Sequence, residues 1–126
     1  MAVFRQSHER LYGGAKELLE MLQTYWYGGE HVMKAMLEAG FDGSGIRVDR
    51  YSTKVRIEDA RRWCEIGWSI CGKLKEGWTQ EDEDTWDDAI RLAKESLITE
   101  PWYQRDEDNE NRGWLNLTAS AILATK

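Results

Sequence analysis

A chain of 126 residues with 32% charged side chains, seven Trp, five Tyr, two Phe and a single proline can bury one core without disulfide or metal staples, and it is too aromatic to be disordered. Its net charge of −6 is confined to one end: residues 1–76 hold 12 Lys and Arg against 11 Asp and Glu, whereas residues 77–126 hold 5 against 12. That imbalance excludes phosphate backbones and anionic lipid surfaces as ligands of the C-terminal half, and it leaves basic partners or divalent cations.

The N-terminal residues Met1–His8 contain no apolar signal core, and no window approaches the roughly 18 apolar residues of a membrane span. A cytoplasmic protein is expected, in the host cytoplasm if its origin is viral. The Asn116-Leu117-Thr118 sequon then carries no weight. Ser7 can cap a first helix whose apolar positions, Leu11, Ala15, Leu18, Leu19, Leu22, Tyr25 and Trp26, recur at helical spacing, with Gly13-Gly14 weakening its early part. Gly28-Gly29 breaks the chain. A second helix is predicted from Glu30 to Ala39, stopping at Gly40. Tyr12-Gly13-Gly14 with Met21-Leu22 matches Tyr27-Gly28-Gly29 with Met36-Leu37, but two copies do not make a repeat architecture.

Residues 46–57 are the only stretch with strand character. Ile46 and Val48 alternate with polar residues, and Tyr51, Thr53, Val55 and Ile57 do so in the opposite phase, so the slip at Asp49-Arg50 predicts a short hairpin or a bulge. From Ile57 to about Glu76 an apolar arc (Ile57, Ala60, Cys64, Gly67, Cys71 and Leu74, widened by Trp63, Ile66 and Ile70) predicts the central, most buried helix. Cys64 and Cys71, about 10 Å apart on such a helix, are beyond the reach of a disulfide. Thr79 caps a helix reaching Leu97, stopped by Thr99-Glu100-Pro101. Trp114 to Ala124, with Ala119, Ala121 and Ala124, reads as a terminal helix. The expected fold is therefore mostly α: a single helical domain over residues 1–126, a bundle of about five helices with at most one short β-hairpin.

The candidate functional surface lies in the acidic runs. Glu81, Asp82, Glu83, Asp84, Asp87 and Asp88 place six carboxylates in eight residues, followed by Asp106, Glu107 and Asp108, with Trp78 and Trp102 as flanking aromatic anchors. Carboxylates in a first helical turn complement the macrodipole, and Thr79 with Asp82 is a variant of the capping box. Six of them with no base among them exceed what capping requires. A row of carboxylates at helical spacing can imitate nucleic-acid phosphates and occupy a basic groove on another protein, and small inhibitors encoded by mobile elements often have this composition.

The leading expectation is thus a non-catalytic interaction protein whose acidic half binds a basic, nucleic-acid-handling partner as an inhibitor or regulator, with no catalytic residue, cofactor, metal or membrane contact. Arg47, Arg50, Lys54, Arg56, Arg61 and Arg62, within residues 47–62, form a basic segment beside Tyr51 and Trp63. Its expected use is pairing with the chain's own acidic helix or with a second copy, and direct nucleic-acid contact is the less favoured reading. The alternative function is a self-assembling subunit of a larger viral or nucleoprotein complex, a homo-oligomer joined by its charge asymmetry. A second alternative is a Mg²⁺-dependent helical nucleotide pyrophosphohydrolase, using Glu81, Asp84 and Asp88 with Glu17 and Glu20, although the doubled Glu-Glu-x-x-Glu signature is absent. His8 and His31 have no neighbours at catalytic or zinc-binding spacing, Gly43-Ser44-Gly45 lacks the features of a P-loop, and no nucleophile comes with a base.

Overall fold

The structure, a computed structural model, describes residues 2–18 and 29–125. Among them are α1 (Ala2–Tyr12), α2 (Gly29–Glu38), a 3-10 turn (Gly43–Gly45), β1 (Ile46–Ile57), α3 (Ala60–Cys71), α4 (Gln80–Asp84), α5 (Trp86–Leu97), β2 (Tyr103–Arg105) and β3 (Gly113–Ala124). The strands form one antiparallel sheet in the order β1-β3-β2. The fold is therefore mixed α and β, which overturns the mostly helical, all-α bundle.

Two elements account for the difference. The expected terminal helix is strand β3: Leu115, Leu117, Ala119, Ala121 and Leu123 alternate with Asn116, Thr118, Ser120 and Ile122, a period of two that the small alanines disguise as a close-packing helix face. The expected hairpin at residues 46–57 is one continuous strand, because Asp49 and Arg50 stay extended where a turn would require tighter backbone. The first helix also starts earlier, at Ala2, and ends at Tyr12, where Gly13 and Gly14 both take positive φ (+55° and +82°) and reverse the chain. The predicted apolar positions Leu19, Leu22, Tyr25 and Trp26 of that helix lie outside the described residues.

The chain divides into two compact units: residues 1–20 with 54–116, and residues 21–53 with 117–126. The first holds the core. Val3, Phe4, Ile57, Ala60, Cys64, Trp68, Ala89, Ile90, Ala93, Leu97, Tyr103 and Leu115 form one buried cluster. The most buried helix is α5, not α3 as the sequence suggested. Ala89, Ile90, Leu92, Ala93, Ser96 and Leu97 are all buried on α5, whereas Ile66 and Ile70 of α3 are about half exposed. Asp59 caps α3 by accepting from Arg62 N at 3.0 Å. Gly67 lets the Phe4 ring lie directly on the α3 backbone, and Phe4 stacks on Trp63 with centroids 5.5 Å apart. The β2–β3 register pairs Tyr103 with Leu115 and Arg105 with Gly113.

The second unit contains α2, the 3-10 turn and the segments of β1 and β3 up to residue 53 and from residue 117. Helix α2 falls where the sequence placed it. Asp42 caps the 3-10 turn, accepting from Ser44 N at 3.0 Å and from the Ser44 hydroxyl at 2.8 Å. Ser52 and Thr118 hydroxyls meet at 3.3 Å, which puts the even-numbered side chains of both strands on one face. No described residue of this unit is buried.

Candidate functional site

The acidic run does not form one surface. Its second member, Asp82, is 1% exposed and bonded on both carboxylate oxygens. Oδ2 accepts from Thr79 N at 2.8 Å and from the Thr79 hydroxyl at 2.7 Å, and the Asp82 N–H donates back to Thr79 Oγ1 at 3.4 Å, which completes a capping box at the start of α4. Oδ1 accepts from the Tyr12 hydroxyl at 2.9 Å and from Lys16 Nζ. Burial alone would push the Asp82 pKa up, but the donors from Lys16, Thr79 and Tyr12 outweigh it and hold the carboxyl well below the usual range. The same contact raises the pKa of Lys16, whose ammonium also lies 4.8 Å from the centroid of the Tyr12 ring. Burial first, then the bond to Asp82, raises the pKa of Tyr12.

The remaining carboxylates are outside. Glu81, Glu83 and Asp84 of α4 and Asp87 and Asp88 of α5 are exposed. The single helix predicted from Thr79 to Leu97 is broken at Thr85, whose hydroxyl donates back to Asp82 O at 3.2 Å. Glu81 comes within 3.7 Å of Lys16, Asp84 accepts from Gln80 at 3.1 Å, Asp87 from Arg61 at 2.6 Å and Asp88 from Arg91 at 3.2 Å. In the second run Asp106 accepts from Asp108 N at 3.0 Å, and its own N–H donates to Arg112 O at 2.9 Å. Glu107 and Asp108 are exposed on the closed loop. Trp78 and Trp102, expected as protruding anchors, are half-buried against the core. Trp78 lies between Trp68 and Trp86 at 6.3 and 6.0 Å, and Trp102 is 6.4 Å from Trp63.

The basic segment is spread along a strand and a helix. On β1, Arg47 pairs with Asp49 at 2.6 Å, Arg50 is exposed, Lys54 donates to Gln104 at 3.3 Å, and Arg56 pairs with Glu58 at 2.8 Å while lying 5.4 Å from the centre of the Trp114 ring. On α3, Arg61 and Arg62 share Glu65, and Arg61 also reaches Asp87 of the acidic run. Each described pair is solvent-exposed and contributes little stability.

The residues that sequence reading missed are His8, Tyr12 and Lys16. His8 is 6% exposed, its ring tilted against Tyr12 at 4.9 Å, and its Nε2 has no hydrogen-bond partner among the described residues. Burial lowers its pKa, with Glu9 opposing and Lys16 adding to the effect. One signal was available: His8, Tyr12 and Lys16 recur every four residues, although the chain leaves α1 after Tyr12. A cavity of about 700 Å³ is lined by Arg5, His8, Glu9, Lys16, Glu17 and Lys75 among others, and an adjoining one of about 370 Å³ reaches Thr79 and Asp82. Cations and carboxylates alternate around both. The Lys16 and Lys75 ammonium groups already bind Asp82 and Glu17, so neither cavity presents a concentrated charge to a ligand.

For a Mg²⁺ site, Glu17 lies beyond the end of α1 and bonds Lys75 at 2.8 Å, Asp82 is buried, and Glu20 lies outside the described residues. No group of three His, Cys, Asp or Glu among the described residues is placed to hold a metal ion. The Cys64 thiol is pushed up to about 12 by burial, and both cysteines are free. Among the described residues no helix is long and apolar enough to cross a membrane. Comparison with protein-family models, curated proteins and solved structures finds no match.

Proposed function

We propose that this chain is a non-catalytic, cytoplasmic interaction protein (host-cytoplasmic if viral) whose acidic C-terminal half engages a basic, nucleic-acid-handling partner and blocks or regulates it. One observation carries this reading. Glu81, Glu83, Asp84, Asp87 and Asp88 stay exposed on two consecutive helices, while the buried Asp82 between them anchors the first helix to Tyr12 and Lys16. Carboxylates presented on a fixed backbone lose little conformational freedom on binding. Exposed carboxylates on α4 and α5 also favour encounter with a basic groove. Trp78 and Trp102 contribute by holding that backbone from within, not as protruding anchors.

The test is affinity capture from nuclease-treated host lysate with the wild-type chain and with a triple variant, Glu81→Lys, Asp84→Lys and Asp88→Lys. The reading expects a basic nucleic-acid-handling protein on the wild type and its loss from the variant, with the circular-dichroism spectrum unchanged. Equal capture by both would remove the acidic face from the interaction.

A second reading, a self-assembling subunit, is favoured by a different observation. The second unit buries no described residue, and its strands leave Tyr51, Leu117 and Leu123 exposed at 59%, 41% and 52%. Strands and a helix without buried side chains are marginal alone and gain stability from whatever covers them.

A further inference from the structure

Among the described tryptophans, Trp63, Trp68, Trp78, Trp86 and Trp102 lie in the core or pack against it. Trp114 is outside that set and half-buried on the sheet. Strand alternation puts it there. Ile57, Tyr103 and Leu115 turn into the core, so their neighbours Arg56, Gln104 and Trp114 turn to the opposite face.

Strand β3 is the middle strand, and on one side Trp114 pairs with Gln104 of β2. On the other, the Ser52–Thr118 hydroxyl contact and the bond from Thr125 N to Gly45 O agree on one register. That register opposes Arg56 to Trp114 and Lys54 to Asn116. The Arg56 guanidinium lies over the indole, 5.4 Å from its centre, and Lys54 reaches across β3 to Gln104 Oε1 at 3.3 Å. Arg112 shares the carboxylate of Glu58 with Arg56, at 3.4 and 2.8 Å. Lys54, Arg56, Gln104 and Arg112 are all exposed, and the whole patch falls within residues 54–116 of the first unit.

We propose that this face binds single-stranded nucleic acid, with one unpaired base stacking on the Trp114–Arg56 pair while Lys54 and Arg112 meet the flanking phosphates. The inference is independent of the acidic-surface reading, because none of these residues belongs to the acidic runs.

The chemistry selects that occupant. Any nucleobase presents a π face that stacks on an indole ring or a guanidinium plane. Lys54, Arg56 and Arg112 stand against Glu58, so the patch is locally cationic although the chain carries −6. Lys54 and Arg56 are spaced about 7 Å along β1, which sets cations beside the ring and not only beneath it. The amides of Gln104 and Asn116 offer donors and acceptors to a base edge, and Lys54 leaves the Gln104 NH2 group to donate. An acidic peptide would use the cations but not the ring. A duplex keeps its bases stacked on one another and reaches only the charges.

The experiment is fluorescence anisotropy of labelled oligothymidylate and oligouridylate of about twelve nucleotides, titrated with the full chain. Binding of at least one is expected at about 50 mM NaCl, with log K falling against log salt at a slope of about −1.4 to −2.1 for two or three phosphates. Tighter binding of oligouridylate supports the proposal and adds a contact to the 2′-hydroxyl. Trp114→Ala should weaken binding at least about fivefold, and Trp114→Phe should keep most of it. Lys54→Ala should make the salt slope shallower by about 0.7. Urea denaturation checks that each variant folds; if Trp114→Ala does not, Trp114→Leu, apolar but without a π face, takes its place. No binding of either oligonucleotide at about 50 mM NaCl and about 100 μM protein overturns the proposal. A duplex bound as tightly as the single strand overturns it too, as does a folded Trp114→Ala or Trp114→Leu that binds like the wild type, since either result leaves charge alone.

Discussion

Lys16 donates to the buried carboxylate of Asp82, sixty-six residues further along the chain. That contact, with the Tyr12 hydroxyl on the same oxygen, ties the turn after α1 to the first turn of α4. It uses the one carboxylate of the acidic run that solvent cannot reach.

Asp82→Ala leaves the Tyr12 hydroxyl, the Thr79 N–H and the Lys16 ammonium without their acceptor. A loss of about 3 kcal/mol is expected, at the lower end for a broken buried pair because Lys16 can turn to water. Lys16→Met, which leaves Asp82 its other donors, costs less than Asp82→Ala. The double variant costs less than the two together, because the residues act as one unit. Urea denaturation of the four proteins measures all three quantities; additive losses would show that the two groups do not interact.

Acid stability follows from two groups, a carboxylate and an imidazole, whose pKa values are both lowered in the folded chain. Asp82 has a depressed folded pKa, so its contribution is complete above its ordinary value of 3.8 and is lost as pH falls below it. His8 is also depressed, from 6.5, mainly by burial. The unfolded chain therefore takes up a proton on His8 below about pH 6.5 that the folded chain resists, and stability declines as pH falls through that range. Glu9 opposes that lowering and Lys16 adds to it. The urea midpoint of the wild type is expected to drop between about pH 7.5 and about pH 5.5. His8→Gln should flatten that interval without altering the fall below pH 4.

Gly67 tests the packing of α1 on α3. Alanine at a helical glycine ordinarily stabilises by about 1 kcal/mol. Here a Cβ would overlap the Phe4 ring, which is itself 4% exposed and has no room to retreat. Gly67→Ala is expected to destabilise by about 1–3 kcal/mol despite its better helix propensity. Combining it with Phe4→Leu should recover part of the loss. A thermal melt of the single and double variants decides this, and a stabilised Gly67→Ala would contradict the close contact.

Local signals in the sequence were legible where one element satisfied itself. The Thr79–Asp82 capping box, the Asp42 turn and helix α2 follow from neighbouring residues alone. Strand β3 was not legible because alanine fits either period, and its decisive partner, β1, is more than fifty residues away. The weight given to α3 failed for a related reason: Ile66 and Ile70 look like core on a helical wheel, but α5 and α1 pack against another side of the helix. Nor could composition reveal that Asp82 differs from the carboxylates on either side of it. Its role depends on Lys16 and Tyr12, and only the folded chain brings them there.

The uneven distribution of buried side chains sets how freely different positions can change. A substitution at Ala93 or Trp68 alters the first unit's core and is felt by the whole folding equilibrium. A substitution at Tyr51, Leu117 or Leu123, each about half exposed, removes less intrachain packing, so a melting curve records it less strongly. On the self-association reading those three residues are kept by contact with another copy, and random mutagenesis scored for association instead of for folding is where they will stand out.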